Sequence, residues 1–167
     1  MANSPTIDWI QYSEYGNAFN VSAPIALDTA GSIYTVGGAK DQSVLFKYRS
    51  DGSVVWSQNF TGIYPTSLAA EESGSIYIAG FRSGSLSGGI VDTDAFVSKY
   101  TSDGIEIWTK ISGVLSSVMP VTPTTRAYGL ALDASGSVFI AGMTSGNLDG
   151  ETSNGNYDVF ISKYSPE

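Results

Sequence analysis

A motif written three times constrains this chain more than any other feature. Ile25-Ala26-Leu27-Asp28-Thr29-Ala30-Gly31-Ser32-Ile33-Tyr34-Thr35-Val36-Gly37 recurs as Leu68-Ala69-Ala70-Glu71-Glu72-Ser73-Gly74-Ser75-Ile76-Tyr77-Ile78-Ala79-Gly80 and as Leu130-Ala131-Leu132-Asp133-Ala134-Ser135-Gly136-Ser137-Val138-Phe139-Ile140-Ala141-Gly142. After a connection of variable length each copy continues into a second shared stretch: Val44-Leu45-Phe46-Lys47-Tyr48, Ala95-Phe96-Val97-Ser98-Lys99-Tyr100 and Val159-Phe160-Ile161-Ser162-Lys163-Tyr164. Two copies then add an Asp-Gly turn and a tryptophan segment, Asp51-Gly52-Ser53-Val54-Val55-Trp56 and Asp103-Gly104-Ile105-Glu106-Ile107-Trp108. A repeat of this length means a stack of like units, because one unit cannot cover its own apolar surface.

Each unit reads as four short antiparallel strands. The first, from Ile25 to Asp28 in copy one, is short and built of small residues. The second, Ile33 to Val36, is apolar throughout, as expected of a strand covered on both faces. The third ends in Lys-Tyr and turns at Asp-Gly, a hairpin signal whose glycine accepts positive φ. The fourth carries the tryptophan. Nineteen glycines, twenty aromatics and only 14% charged residues suit sheets joined by tight turns. The expected fold is therefore all-β: four-stranded antiparallel β-propeller blades, three per chain.

The third unit stops after Lys163-Tyr164, where its tryptophan strand should follow. The chain opens instead with Thr6-Ile7-Asp8-Trp9-Ile10-Gln11-Tyr12, which aligns with the other two tryptophan strands. Trp9, Trp56 and Trp108 then share one repeat position. The expected division is a closing outer strand at 6–12, blade one at 18–60, blade two at 64–112 and blade three at 124–165 without an outer strand of its own. Propellers usually have four to eight blades, so three leave two apolar faces open. Two copies arranged head to tail would close a six-bladed homodimer ring by strand exchange. The alternative is a fragment of a longer propeller with no independent function.

The third copy, Leu130 to Gly142 followed by Asp158-Val159-Phe160-Ile161-Ser162-Lys163-Tyr164, resembles the SBBP-type β-propeller repeat family of bacteria, and the resemblance runs from about Ile7 to Tyr164. It implies the propeller fold and an extracellular or cell-surface setting, with no shared catalytic residues to carry over. Copy one departs from the pattern, because Val36-Gly37-Gly38-Ala39-Lys40-Asp41 replaces the longer loop of the other two.

Composition excludes several function classes. The chain has no His and no Cys, which removes Ser-His-Asp triads, thiol catalysis, structural zinc and disulfides. Sixteen acids against eight bases give a net charge of -8, which repels nucleic acid and anionic lipid. No apolar run is long enough to span a bilayer. Met1-Ala2-Asn3-Ser4-Pro5 has neither a basic nor an apolar stretch, so no signal peptide is expected in this chain, and the compartment stays open.

Candidate site residues fall in three groups. The repeated Lys47, Lys99 and Lys163 read as scaffold positions paired with the in-register acids Asp28, Glu71 and Asp133. The loop from Asp149 to Asp158 offers Asp149, Glu151, Asn154, Asn156 and Asp158 as oxygen donors for Ca²⁺, though its residues equally suit plain turns. The long connection from Gly113 to Arg126 places Met119 and Arg126 on one rim, and Tyr15, Phe19 and Tyr64 precede first strands, where they would pack the links or form an aromatic platform for sugars. The expected role is a non-enzymatic binding or scaffold module with a glycan or protein ligand and no cofactor. The rival expectation is a channel-mouth hydrolase or lyase that uses acids and tyrosines.

Overall fold

The computed structural model describes residues 7–11, 23–39, 42–86, 90–114, 124–153 and 156–166. Among these the regular structure is entirely β: β1 (Ile25–Leu27), β2 (Ile33–Ala39), β3 (Gln42–Tyr48), β4 (Val54–Thr61), β5 (Ile63–Ala70), β6 (Ile76–Leu86), β7 (Ile90–Tyr100), β8 (Glu106–Ser112), β9 (Thr125–Leu132), β10 (Val138–Thr144) and β11 (Asp158–Tyr164). They form three antiparallel meanders. β1-β2-β3-β4 and β5-β6-β7-β8 are four-stranded, and β9-β10-β11 is three-stranded. Each sheet is one copy of the sequence repeat.

The turns follow from the repeated Gly. At each first hairpin the amide of Asp28, Glu71 or Asp133 donates to the carbonyl of Ser32, Ser75 or Ser137, and the glycine between takes a φ of 80° to 86°. The same pattern closes the third hairpins, where Gly52 and Gly104 lie at φ 83°. A side chain would strain this left-handed backbone, so the repeat keeps glycine there.

The sheets cover one another through two apolar junctions. In the first, Tyr34, Val36 and Leu45 of the first sheet meet Leu68, Ile76, Ile78, Phe96 and Tyr100 of the second. In the second, Tyr77, Ala79, Ala95 and Val97 meet Ala127, Val138 and Ile140 of the third. Polar ties cross both junctions: Ser43 Oγ donates to the Ile63 carbonyl at 2.9 Å, and Thr66 Oγ1 to the Ala127 carbonyl at 2.7 Å. The core of this protein therefore lies between repeats.

One expectation is corrected. The Gly/Ser-rich stretch of copy two, expected as a loop, continues the ladder of β6 and β7 as far as the Leu86–Ile90 pair. Ladder bonds use the backbone, so this composition does not forbid them. Residues 7–11, expected within a closing outer strand, lie outside the regular strands of the single chain, where Trp9 is held against Ser50 and Gly52 of the first sheet.

Candidate functional site

The features that distinguish one repeat from another lie at the two ends of the array. Leu45 and Val97, on the third strands of the first two sheets, are 0% exposed, while the equivalent Ile161 is 74% exposed. One step along, Ser43 and Ala95 are buried and the equivalent Val159 is 88% exposed. The opposite end mirrors this. Leu68 on β5 is 7% exposed under the first sheet, whereas its counterpart Ile25 on β1 is 64% exposed, with Leu27 beside it also open. The third sheet thus shows the leading half of a junction and the first sheet the trailing half.

The tryptophans and lysines explain how a junction is fastened. Trp56 packs on Tyr34 of its own sheet at 6.4 Å between ring centroids, and Trp108 on Tyr77 at 6.0 Å. Trp56 then reaches across to the second sheet. Its Nε1 donates to the Ser102 carbonyl at 3.3 Å, and its ring fills the space beside Gly104, where a Cβ would sit 3.2 Å from it. Lys47 Nζ donates to the same Ser102 carbonyl at 3.0 Å. Trp9 repeats half of this arrangement on the first sheet: its Nε1 donates to the Ser50 carbonyl at 3.1 Å, and its ring lies over Gly52, where a Cβ would be 2.8 Å away. Trp9 therefore occupies the place of a tryptophan from a sheet preceding the first.

The three lysines all sit over the aromatic ring of their own sheet, Lys47 on Tyr34, Lys99 on Tyr77 and Lys163 on Phe139, at 5.0 to 5.3 Å. Lys99 also pairs with Glu71 at 3.7 Å and Lys163 with Asp133 at 3.9 Å. Partial burial disfavours the Asp28 carboxylate, but the Ser32 amide, the Tyr34 and Ser32 hydroxyls and Lys47 outweigh it and hold its pKa below the ordinary value. Glu71 is likewise lowered, with burial opposed by the hydroxyls of Tyr77 and Ser73 and by Lys99. Hydrogen bonds from the Ser135 hydroxyl and the Ser137 amide bring Asp133 down to about 2.

Acid–tyrosine pairs occur, as the enzyme expectation requires. The Tyr34 hydroxyl donates to Asp28, Tyr77 to Glu71 and Tyr100 to Glu106. The last pair lines a cleft of about 410 Å³ between the first two sheets, together with Phe60, Arg82 and Thr109. Burial first, and then the Glu106 charge, push the Tyr100 phenol up to about 12, and burial raises Tyr34 as well. The lowered acids and raised phenols lie further from the neutral range in which proton transfer is efficient than ordinary carboxylates and phenols do.

Two sequence candidates meet on a residue that sequence reasoning passed over. Tyr64 stacks on Phe81 at 4.9 Å and 12° between planes, and the Arg126 guanidinium lies 4.6 Å from the Phe81 centroid. Arg126 Nε also donates to Thr93 Oγ1 at 3.3 Å. This stack joins the starts of β5 and β9 through β6. Tyr15, Phe19, Met119 and Asn154 lie outside the described residues.

Of the calcium candidates, Asp149 has a φ of 49° beside Gly150 at 91°, and the two form the turn between the paired Leu148 and Glu151. Asp149 accepts from Ser112 Oγ, and Asp158 accepts from Ser153 Oγ at 2.6 Å. Glu151 and Asn156 are exposed. Among the described residues no group of three or more carboxylates gathers to hold a metal ion. Compared with known proteins, the chain matches no family model and no curated sequence.

Proposed function

We propose that the chain is a non-enzymatic binding or scaffold module, made of SBBP-type β-propeller blades that close into a ring by self-association and hold their loops out to a glycan or protein ligand. The observation that carries this reading is the burial contrast at equivalent positions: Leu45 and Val97 against Ile161, and Leu68 against Ile25. An apolar face that is fully covered twice and open once is a face built to be covered. Rigid sheets with the Tyr64–Phe81–Arg126 stack at one end supply an aromatic and cationic surface of the kind that holds a sugar ring or a planar polar group. Repetition of weak sites around a ring would raise avidity for a repetitive partner.

The test joins assembly to display. A glycan array probed with the assembled protein should give saturable binding that falls at least tenfold in Arg126→Ala while the solution mass stays unchanged. A blank array from a stable assembly refutes the glycan-display half and leaves a pure assembly unit. Turnover that a single acid substitution abolishes would refute the non-enzymatic half.

A further inference from the structure

We infer that both open faces are covered by a second copy of this chain, with residues 7–11 of one copy completing the third sheet of the other in a fixed register. This inference rests on the ring reading and adds its atomic junction. The chain carries both halves of the same interface. Phe139, Ala141, Val159 and Ile161 hold the positions of Tyr77, Ala79, Ala95 and Val97, which cover the third sheet. Ile25, Leu27 and Ile33 hold the positions of Leu130, Leu132 and Val138, which receive them. A new junction from these halves continues the two already formed within the chain, and its head-to-tail sense is theirs.

The register follows from the two complete sheets. Lys47 pairs with Trp56 and Lys99 with Trp108, and after a bulge Tyr48 pairs with Val54 and Tyr100 with Glu106. Carried to the third sheet, Lys163 lies opposite Trp9 of the second copy, Tyr164 opposite Ile7, Ser162 opposite Ile10 and Ile161 opposite Gln11. Trp9 then rests on Phe139 of the other copy as Trp56 rests on Tyr34, while keeping its seat on Gly52 of its own first sheet. One strand fastens both copies.

Lys163 completes the junction. Lys47 and Trp56 share the Ser102 carbonyl as acceptor. At the first sheet the equivalent Ser50 carbonyl accepts from Trp9, and a carbonyl oxygen has two lone pairs. The Lys163 side chain is 54% exposed where that of Lys99 is 23% exposed. Docked as the repeat dictates, Lys163 Nζ donates to the second copy's Ser50 carbonyl.

Because the chain has no cysteine, engineered pairs report the register without background. Ser98 Oγ and Thr109 Oγ1, the pair equivalent to Ser162 and Ile10, lie 2.7 Å apart, so cysteines at such a pair meet the geometry of a disulfide. Ile10→Cys protein is mixed with Ser162→Cys protein, oxidised and run without reductant. The expected product is a covalent species of twice 17.6 kDa that reductant reverses. The off-register mixture of Asp8→Cys with Ser162→Cys should give little of it. If the mixture shows the doubled mass by light scattering but no in-register cross-link, the junction is overturned while the ring reading stands. If light scattering finds only 17.6 kDa, both fall.

Discussion

Truncating Ile161 to alanine should weaken self-association far more than it weakens the fold. The substitution removes about three carbons, worth roughly 0.8 kcal/mol each when buried. With 74% of Ile161 open in the single chain, close to three-quarters of that value, roughly 2 kcal/mol, belongs to each junction. A closed pair has two identical junctions, so the expected loss is roughly 4 kcal/mol, or on the order of a thousandfold in the dissociation constant. Leu45→Ala at the equivalent, fully buried position should instead cost about 2–5 kcal/mol of folding stability. Sedimentation equilibrium over a dilution series reads the first quantity, and urea unfolding of the dilute single chain reads the second. The reasoning is refuted if Ile161→Ala leaves the dissociation constant unchanged, or if it destabilises the dilute chain as much as Leu45→Ala does.

Four further outcomes follow from the geometry. Gly104→Ala, which combines a φ of 83° with the Trp56 ring 3.2 Å from the new Cβ, should cost about 1–3 kcal/mol and lower Tm by several degrees in a thermal melt. The lowered carboxylates Asp28, Glu71 and Asp133 give stability that is complete above the ordinary carboxylate range and is lost as pH falls; for Asp133 the loss extends down to about 2. Urea midpoints measured across that range should fall less steeply for Asp133→Asn than for the parent. Tyr100, raised to about 12, contributes below its ordinary value of 10.0 and loses that contribution as pH climbs from there, so Tyr100→Phe should flatten the alkaline limb of the same titration. Lys163→Met should weaken self-association about tenfold per junction with little change in the melt of the dilute chain, as expected for a lost charge-assisted hydrogen bond.

The repeat made the all-β architecture and the division into like sheets legible, because strand and turn signals recur at fixed offsets. Gly52 and Gly104 could be read as turn residues from the Asp-Gly pairs alone. Their second role, as a floor for Trp9 and Trp56, could not, because that contact joins different repeats. Lys47 shows the same limit: in-register acids suggested an ion pair with Asp28, whereas the amine reaches the Ser102 carbonyl. Backbone acceptors have no sequence signature. Arg126 was legible as a rim residue of the long connection and Tyr64 as an aromatic before a first strand, whereas both lie within strands, β9 and β5. Phe81, the ring that unites them, reads as ordinary strand core. The stretch leading to Leu86 looked like a loop from its glycines and serines, since nothing in side-chain composition reports a continuing ladder.

The most direct test is the solution mass by light scattering over a concentration series. The account predicts twice 17.6 kDa, held down to low concentration and shifted to the single-chain mass by Ile161→Ala. A parent chain that remains at 17.6 kDa at every concentration would contradict it.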